Sequence, residues 1–212
     1  DSRFPGRSEL HADRANLDWT LCNEVSRRLH RMALAGLLTG ERHFADGAVR
    51  QFEALFDEDA WPAWRDGAHA ALDADLRTGM LASAAATAYD RLHPLLDTER
   101  RARVIDGIDR RGIQPYLCAL GRGAWWAEAD NNWLPVVVGG MGICGMALGD
   151  AHDQAGRLVE FGVEKMDAYL DVFGPAGEFN ESVPYAASVA RVVWFYQALR
   201  YHHGGRQPSR LA

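Results

Sequence analysis

Two kinds of helical segment alternate along this chain, and this alternation limits the fold more than any other feature. One kind carries apolar side chains along one stripe and charged side chains opposite, as a helix with one solvated side does. The other kind is apolar on nearly every side, which predicts burial on every side. The amphipathic segments are residues 41–56, 97–117 and 153–173, and the apolar segments are residues 77–95, 133–148 and 184–200.

The pattern predicts an all-α protein. Residues 17–38 form a further helix of intermediate character, and the only β-like run, Val136-Val137-Val138, lies between helical flanks. Antiparallel helical hairpins in two layers make a solenoid or a ring of inner and outer helices. No fixed sequence period is present, so we expect an incomplete (α/α) toroid over residues 17–203. Residues 1–16 read as a polar lead-in, and residues 204–212 read as a polar tail.

Four glycines interrupt the apolar segment at residues 133–148. Each glycine inside a helix costs up to ~1 kcal/mol relative to alanine, so something must offset Gly139, Gly140, Gly142 and Gly145. Two explanations are open. The helix is packed closely in the core behind an ordinary amide cap, or its backbone approaches a functional site.

Composition excludes several classes of function. A chain of 212 residues is long enough for one large domain with its own core. Its net charge of −6 without a basic block argues against a nucleic-acid binder. The three cysteines lie singly in apolar helical contexts, so we expect buried thiols and no disulfide framework. We recognise no apolar run of membrane-spanning length, no metal-ligand set with convincing spacing and no cofactor motif. The first residue is Asp1, so the chain is a mature protein, an expression product or a piece of a longer one.

Three long loops precede the apolar helices, at residues 57–76, 121–132 and 174–185. In a hairpin arrangement these loops emerge at one end of the ring, where aromatic and polar groups would form a site. Helix N-termini at that mouth would favour a carboxylate or sulfate, and tryptophans would suit sugar rings. The alternative is that the tryptophans pack beneath the loops. The loop residues that we single out are Trp61, Trp64, Asp66, His69, Asp75, Arg122, Trp125, Trp126, Glu128, Asn131, Asn132, Glu178, Asn180, Glu181 and Tyr185.

Two polar segments resemble a known family. The motif NNW at residues 131–133 is followed by GGMG at 139–142, and GPAGEFNESVPY occupies residues 174–185. This combination resembles the heparinase II/III-type polysaccharide lyases, a group that includes oligoalginate lyases. Weaker matches are ALAGLLTG at residues 33–40 and AYD at residues 88–90, and the similarity spans about residues 17–200.

The resemblance implies a helical toroid followed by antiparallel β-sheet domains, with the active site in the cleft between them. It implies that Asn132 or Asn131 contacts a uronate carboxylate and that Tyr185 acts on the C5 proton or the leaving oxygen. It also implies an anionic polysaccharide substrate, a β-domain beyond residue 212 and a periplasmic or secreted location. Several relatives carry a histidine where Asn131 stands, so the general base is not assigned by this segment.

The mechanism predicted is β-elimination. Amide donors from the two asparagines, helped by Arg122, would neutralise the uronate carboxylate. Further substrate-binding candidates are Trp64, Trp125, Trp126, Trp133, His69 and Glu181. Asn132 is alternatively an N-cap, Tyr185 a packed helix-start residue and His69 a solvated loop residue. Two other functions are open, namely a non-catalytic carbohydrate-binding or scaffold module and a glycoside hydrolase that uses Glu178 and Glu181 as an acid pair.

Overall fold

A computed structural model describes residues 17–181, 185 and 189–203 of the protein. The predicted all-α fold is confirmed, since the described residues form helices and loops and contain no strand. The predicted lead-in and tail lie outside these residues. The helices are α1 (Leu17–Thr39), α2 (Arg42–Phe56), α3 (Leu76–Leu92), α4 (Thr98–Ile108), α5 (Gln114–Gly121), α6 (Trp133–Leu148), α7 (Ala155–Tyr169) and α8 (Val189–His203).

The helices form two layers. In the inner layer α1 packs against α3, α3 packs against α6, and α6 packs against α8. In the outer layer α2 contacts α1 and α4, while α7 lies against α6. The inner row curls back on itself, because the rings of His30 on α1 and Trp194 on α8 lie 5.8 Å apart. Helices predicted to be apolar and helices predicted to be amphipathic therefore separate into the two layers.

Glycines allow α6 to pack closely on several sides. A Cβ at Gly140 would lie 2.5 Å from the carbonyl oxygen of Gly79, so the backbones of α3 and α6 are in direct contact there. Gly142 faces the ring of Phe195 on α8, and Gly145 faces α7 at the carbonyl of Ala155. Burial at these helix contacts offsets the low helix propensity of glycine. Of the two explanations for the glycines, core packing is the correct one.

One stretch, Trp133–Ala151, is long and apolar enough to pass for a membrane span, with a mean hydropathy of 1.5. The expectation that no such run exists was wrong. However, 83% of this window is buried inside the protein, because α6 is enclosed by α3, α7 and α8. Its apolar character is thus accounted for by its place in the core.

Three further expectations need correction. The helix predicted over residues 97–117 continues to Gly121 through a π-helical turn, Asp109–Ile113, that joins α4 to α5. α8 is not buried on every side: Val193 and Tyr201 are exposed, because α8 ends the inner row. Cys118 is exposed near the end of α5, whereas Cys22 and Cys144 are buried as expected.

Candidate functional site

The three long loops meet at one end of the inner helices. We name them the first rim loop (residues 57–75), the second rim loop (122–132) and the third rim loop (173–181). Arg122 forms an ion pair of 2.9 Å with Asp73, which joins the second loop to the first. The Asn180 amide donates to the Asp130 carbonyl at 2.7 Å, which joins the third loop to the second. The predicted gathering of these loops at one mouth is therefore confirmed for the described residues.

A buried carboxylate organises the first rim loop. Asp75, which is fully buried, caps α3 by accepting from the backbone N–H of Arg77 at 2.8 Å. Its other oxygen accepts from the backbone N–H of Asp66 at 2.8 Å. The Thr78 hydroxyl accepts from the backbone N–H of Asp75, which completes a capping box. The residues between positions 66 and 78 are thereby held in one conformation.

A guanidinium balances part of this buried charge. Arg77 donates to the Asp66 carboxylate and lies 3.9 Å from the second Asp75 oxygen. The ring of Trp19 at the start of α1 covers the guanidinium at 5.5 Å. Two carboxylates therefore lie against one guanidinium, and the Asp75 oxygen also faces a neighbouring side chain of the first rim loop.

That neighbouring group is His69. Its Nδ1 lies 2.8 Å from the Asp75 oxygen, and 31% of the side chain is exposed. A carboxylate accepts hydrogen bonds only, so Nδ1 carries the proton and Nε2 of the neutral ring is the acceptor. The Asp75 carboxylate orients the ring as a buried carboxylate orients the histidine of a general-base site. The His69 ring is therefore held by Asp75 and is not a freely solvated histidine.

Two tryptophans extend from His69 along the rim. Trp133 meets the His69 ring edge-on with centroids 5.0 Å apart, and Trp125 lies against Trp133 at 4.8 Å. Trp125 is 51% exposed, so its ring is accessible at the surface. These rings give the site an apolar platform beside an acid–base group, an arrangement suited to the carbon faces of a sugar.

The other predicted tryptophans belong to the core. Trp64 donates its indole N–H to the Leu55 carbonyl at 3.1 Å, and Trp126 donates to the Ala74 carbonyl at 3.2 Å. Both rings are buried, and so is Trp61. The prediction that Trp64 and Trp126 bind substrate is therefore corrected to a packing role. The indole N–H of Trp64 ties the first rim loop to α2, and that of Trp126 ties the second rim loop to the first.

The start of α6 is already occupied by groups of the protein. The Asn131 side chain accepts from the backbone N–H of Trp133 at 3.0 Å, so Asn131 caps this helix. The Glu181 carboxylate accepts from the backbone N–H of Asn132 at 2.7 Å. The expected free N–H groups for an anionic ligand are thus used by Asn131 and Glu181. The half-buried side-chain amide of Asn132 makes no hydrogen bond within the described part of the chain. The Asn131 cap uses only its side-chain oxygen, so both asparagines keep NH2 donors for a ligand.

The remaining candidates are Glu178 in the third rim loop, Tyr185 beyond it and Glu128 in the second rim loop. Tyr185 is 49% exposed. It follows Glu181 by four residues, so the chain can carry it at most about 14 Å from that residue, which contacts α6. Glu178 accepts from the backbone N–H of Ala176 at 2.9 Å and serves a turn. Glu128 pairs with Lys165 on α7 at 2.5 Å.

Sequence reasoning missed that Asp75 belongs to the acid–base group. Its place before an apolar helix identifies it as an N-cap, but the contact between its second oxygen and His69 depends on the path of the loop. Among the described residues, no group of three or more His, Cys, Asp or Glu side chains is arranged to hold a metal ion.

Comparison with known proteins does not assign a family. No protein-family model matches the chain, and no curated protein matches it either.

Proposed function

We propose that the rim binds an acidic sugar and that the protein is the helical domain of a polysaccharide lyase of the heparinase II/III type. The observation that carries the proposal is the pairing of His69 with buried Asp75 beside the Trp133 and Trp125 platform. An oriented imidazole with a free acceptor nitrogen suits removal of a weakly acidic proton. The curled inner row supports an arc of an (α/α) toroid as the scaffold.

The proposed reaction is a β-elimination on a uronate-containing glycan. Nε2 of His69 takes the C5 proton, and the electron pair of that bond forms the double bond between C4 and C5. The bond from C4 to the glycosidic oxygen breaks, and Tyr185 gives its phenolic proton to the leaving oxygen. The Asp75 carboxylate stabilises the imidazolium that His69 becomes. No water is added in this sequence.

The uronate carboxylate must be neutralised before C5 becomes acidic enough. The Asn132 amide is positioned to donate to it, since the backbone donors at the start of α6 are taken. Arg122 can add a charge-assisted hydrogen bond. Its ion pair with Asp73 is solvent-exposed and contributes little, so exchanging Asp73 for a ligand carboxylate costs little.

The test is the formation of an unsaturated uronate product, followed by ultraviolet absorbance on a panel of uronate polymers with the natural full-length protein. We expect His69→Gln to reduce the rate at least about 100-fold, the usual contribution of a general base. Tyr185→Phe should have a similar effect. His43→Gln is the matched control, because His43 is an exposed histidine on α2. Absence of the product from every polymer would refute the proposal.

A second candidate function is carbohydrate binding without catalysis, which the exposed Trp125 ring supports. Oligosaccharide binding that survives His69→Gln and Tyr185→Phe, with no turnover in the parent, would favour it. A glycoside hydrolase built on Glu178 and Glu181 has less support. The Glu178 carboxylate accepts from the backbone N–H of Ala176 in a turn, and the Glu181 carboxylate accepts from that of Asn132 at the start of α6, so each already has a structural role.

A further inference from the structure

A cavity lies between the inner helices α1, α3 and α8, apart from the site at the rim. It has a volume of about 390 Å³, and its polar lining comes from all three helices. The α3 residues that line it, Met80 to Arg91, follow Asp75 by 5 to 16 residues, which is a rise of about 8 to 24 Å along the helix. The cavity and the acid–base pair of the rim are thus at different depths of the fold.

Two guanidinium groups enter this cavity, and neither forms an ion pair with a carboxylate of the described residues. In the part of the chain that the structure describes, the polar contact of Arg91 is His30, whose Nδ1 lies 3.5 Å from its Nη1. Arg191 lies over the ring of Trp194 at 5.7 Å, and burial lowers the pKa of its guanidinium. Arg77 differs, since its guanidinium is paired with the Asp66 carboxylate. Uncompensated cations in a partly buried cavity are costly unless an anion joins them.

The neutral groups beside the arginines are also donors. Arginine has no acceptor, so the Nδ1 atom of His30 accepts from Arg91, and Nε2 therefore carries the ring proton. Burial, and next the charges of Arg91 and Arg191, lower the pKa of His30 to about 4, so the ring is neutral at pH 7. The Ser26 hydroxyl is buried and has no hydrogen-bond partner within the described residues. The other two polar side chains of the lining, Asn23 and Ser83, donate to the carbonyls of Trp19 and Met80. The two arginines, His30 and Ser26 therefore supply the donors for a ligand.

We propose that this cavity is a binding site for a tetrahedral oxyanion, phosphate or sulfate, held by Arg91, Arg191, His30 and Ser26. Two positive charges from different helices match a dianion, and four groups of donors match its four oxygens. A carboxylate has only two oxygens in one plane and would leave part of the set unused. The volume also admits a phosphate or sulfate ester of a small molecule. The assignment is independent of the reaction proposed for the rim.

The experiment is calorimetric titration of the protein in a low-salt zwitterionic buffer with inorganic phosphate, sulfate or acetate. We expect phosphate and sulfate to bind and acetate to bind at least about tenfold more weakly. Arg91→Gln and Arg191→Gln should each weaken phosphate binding at least about tenfold, the usual loss for a partly buried charge-assisted contact. Arg31→Gln, at an exposed position of α1 next to His30, should leave binding unchanged.

Thermal unfolding separates binding from folding in the same variants. Without the anion, Arg191→Gln should melt at the same temperature as the parent or higher, because an unpaired cation has been removed. With phosphate the parent should gain stability and this variant should not. His69→Gln should retain phosphate binding, since the rim is a separate site. Equal binding of acetate, no binding of phosphate, or an equal loss in Arg31→Gln would overturn the proposal.

Discussion

Replacing Asp75 by asparagine should destabilise the protein far more than a change of one charge usually does. One Asp75 oxygen accepts from the Arg77 N–H, and the other accepts from the Asp66 N–H and His69 Nδ1, all at 2.8 Å. Asparagine offers one acceptor oxygen in place of two. If that oxygen accepts from Arg77, the NH2 group faces the Asp66 N–H and His69 Nδ1. At least one buried donor loses its partner, which costs about 1–3 kcal/mol.

The loss of charge adds to this cost. Arg77 retains Asp66 but loses the second carboxylate nearby, and His69 loses the acceptor that fixes its tautomer. Together the unpaired donor and the lost charge should lower the unfolding free energy by about 3 kcal/mol. The cost is not larger because asparagine still serves as an N-cap for α3. For a chain of this size the melting temperature should fall by about 6–12 °C. Calorimetry and urea unfolding monitored by circular dichroism measure both quantities.

Asp73→Asn is the matched control, because it makes the same chemical change two positions earlier. Asp73 pairs with the exposed Arg122, and exposed pairs contribute about 0–1 kcal/mol. If Asp75→Asn costs no more than Asp73→Asn, then the buried network does not hold the first rim loop. Asp75 would then not be the residue that positions His69.

Three further predictions concern the scaffold. Gly140→Ala should lower the unfolding free energy by about 1–3 kcal/mol, since the new Cβ meets the α3 backbone. Gly156→Ala is the control and should be neutral or stabilising, because a Cβ at Gly156 would meet open space. Thiol titration should label one cysteine, Cys118, in the native protein and all three after denaturation. His30 is the third case. Its pKa falls from 6.5 to about 4 on folding, so the unfolded chain binds the proton more tightly. The unfolding free energy of the parent should therefore fall by roughly 3 kcal/mol relative to that of His30→Gln as pH drops from 6.5 to 4. Above pH 6.5 the unfolding free energies of the two proteins should change with pH in the same way. A constant difference across that range would contradict the burial of His30 beside two arginines.

Local patterns predicted the fold because helix periodicity and capping are local properties. The Asp97 cap and the helical reading of Val136–Val138 are examples that the structure bears out. What a sequence does not specify is how many neighbours a helix has. α6 has three and is enclosed, whereas the similarly apolar α8 ends a row and exposes Val193.

The site was predictable only in part for a related reason. Loop lengths and hairpin topology were sufficient to bring three loops to one mouth. They did not show which rings face outward, so Trp125 and Trp126, adjacent in sequence, have opposite environments. Nor did they show that Asn131 takes the capping role and leaves the Asn132 side chain free. These assignments depend on the path of each loop over the scaffold.

The central claim is that the rim carries out elimination, and labelled water tests it most directly. Digestion of a uronate polymer by the natural full-length protein in oxygen-labelled water should give products with an unsaturated uronate end and no label in the new reducing end. Mass spectrometry distinguishes the two outcomes. Saturated products that carry the label would mean that water, and not His69 acting on C5, breaks the glycosidic bond.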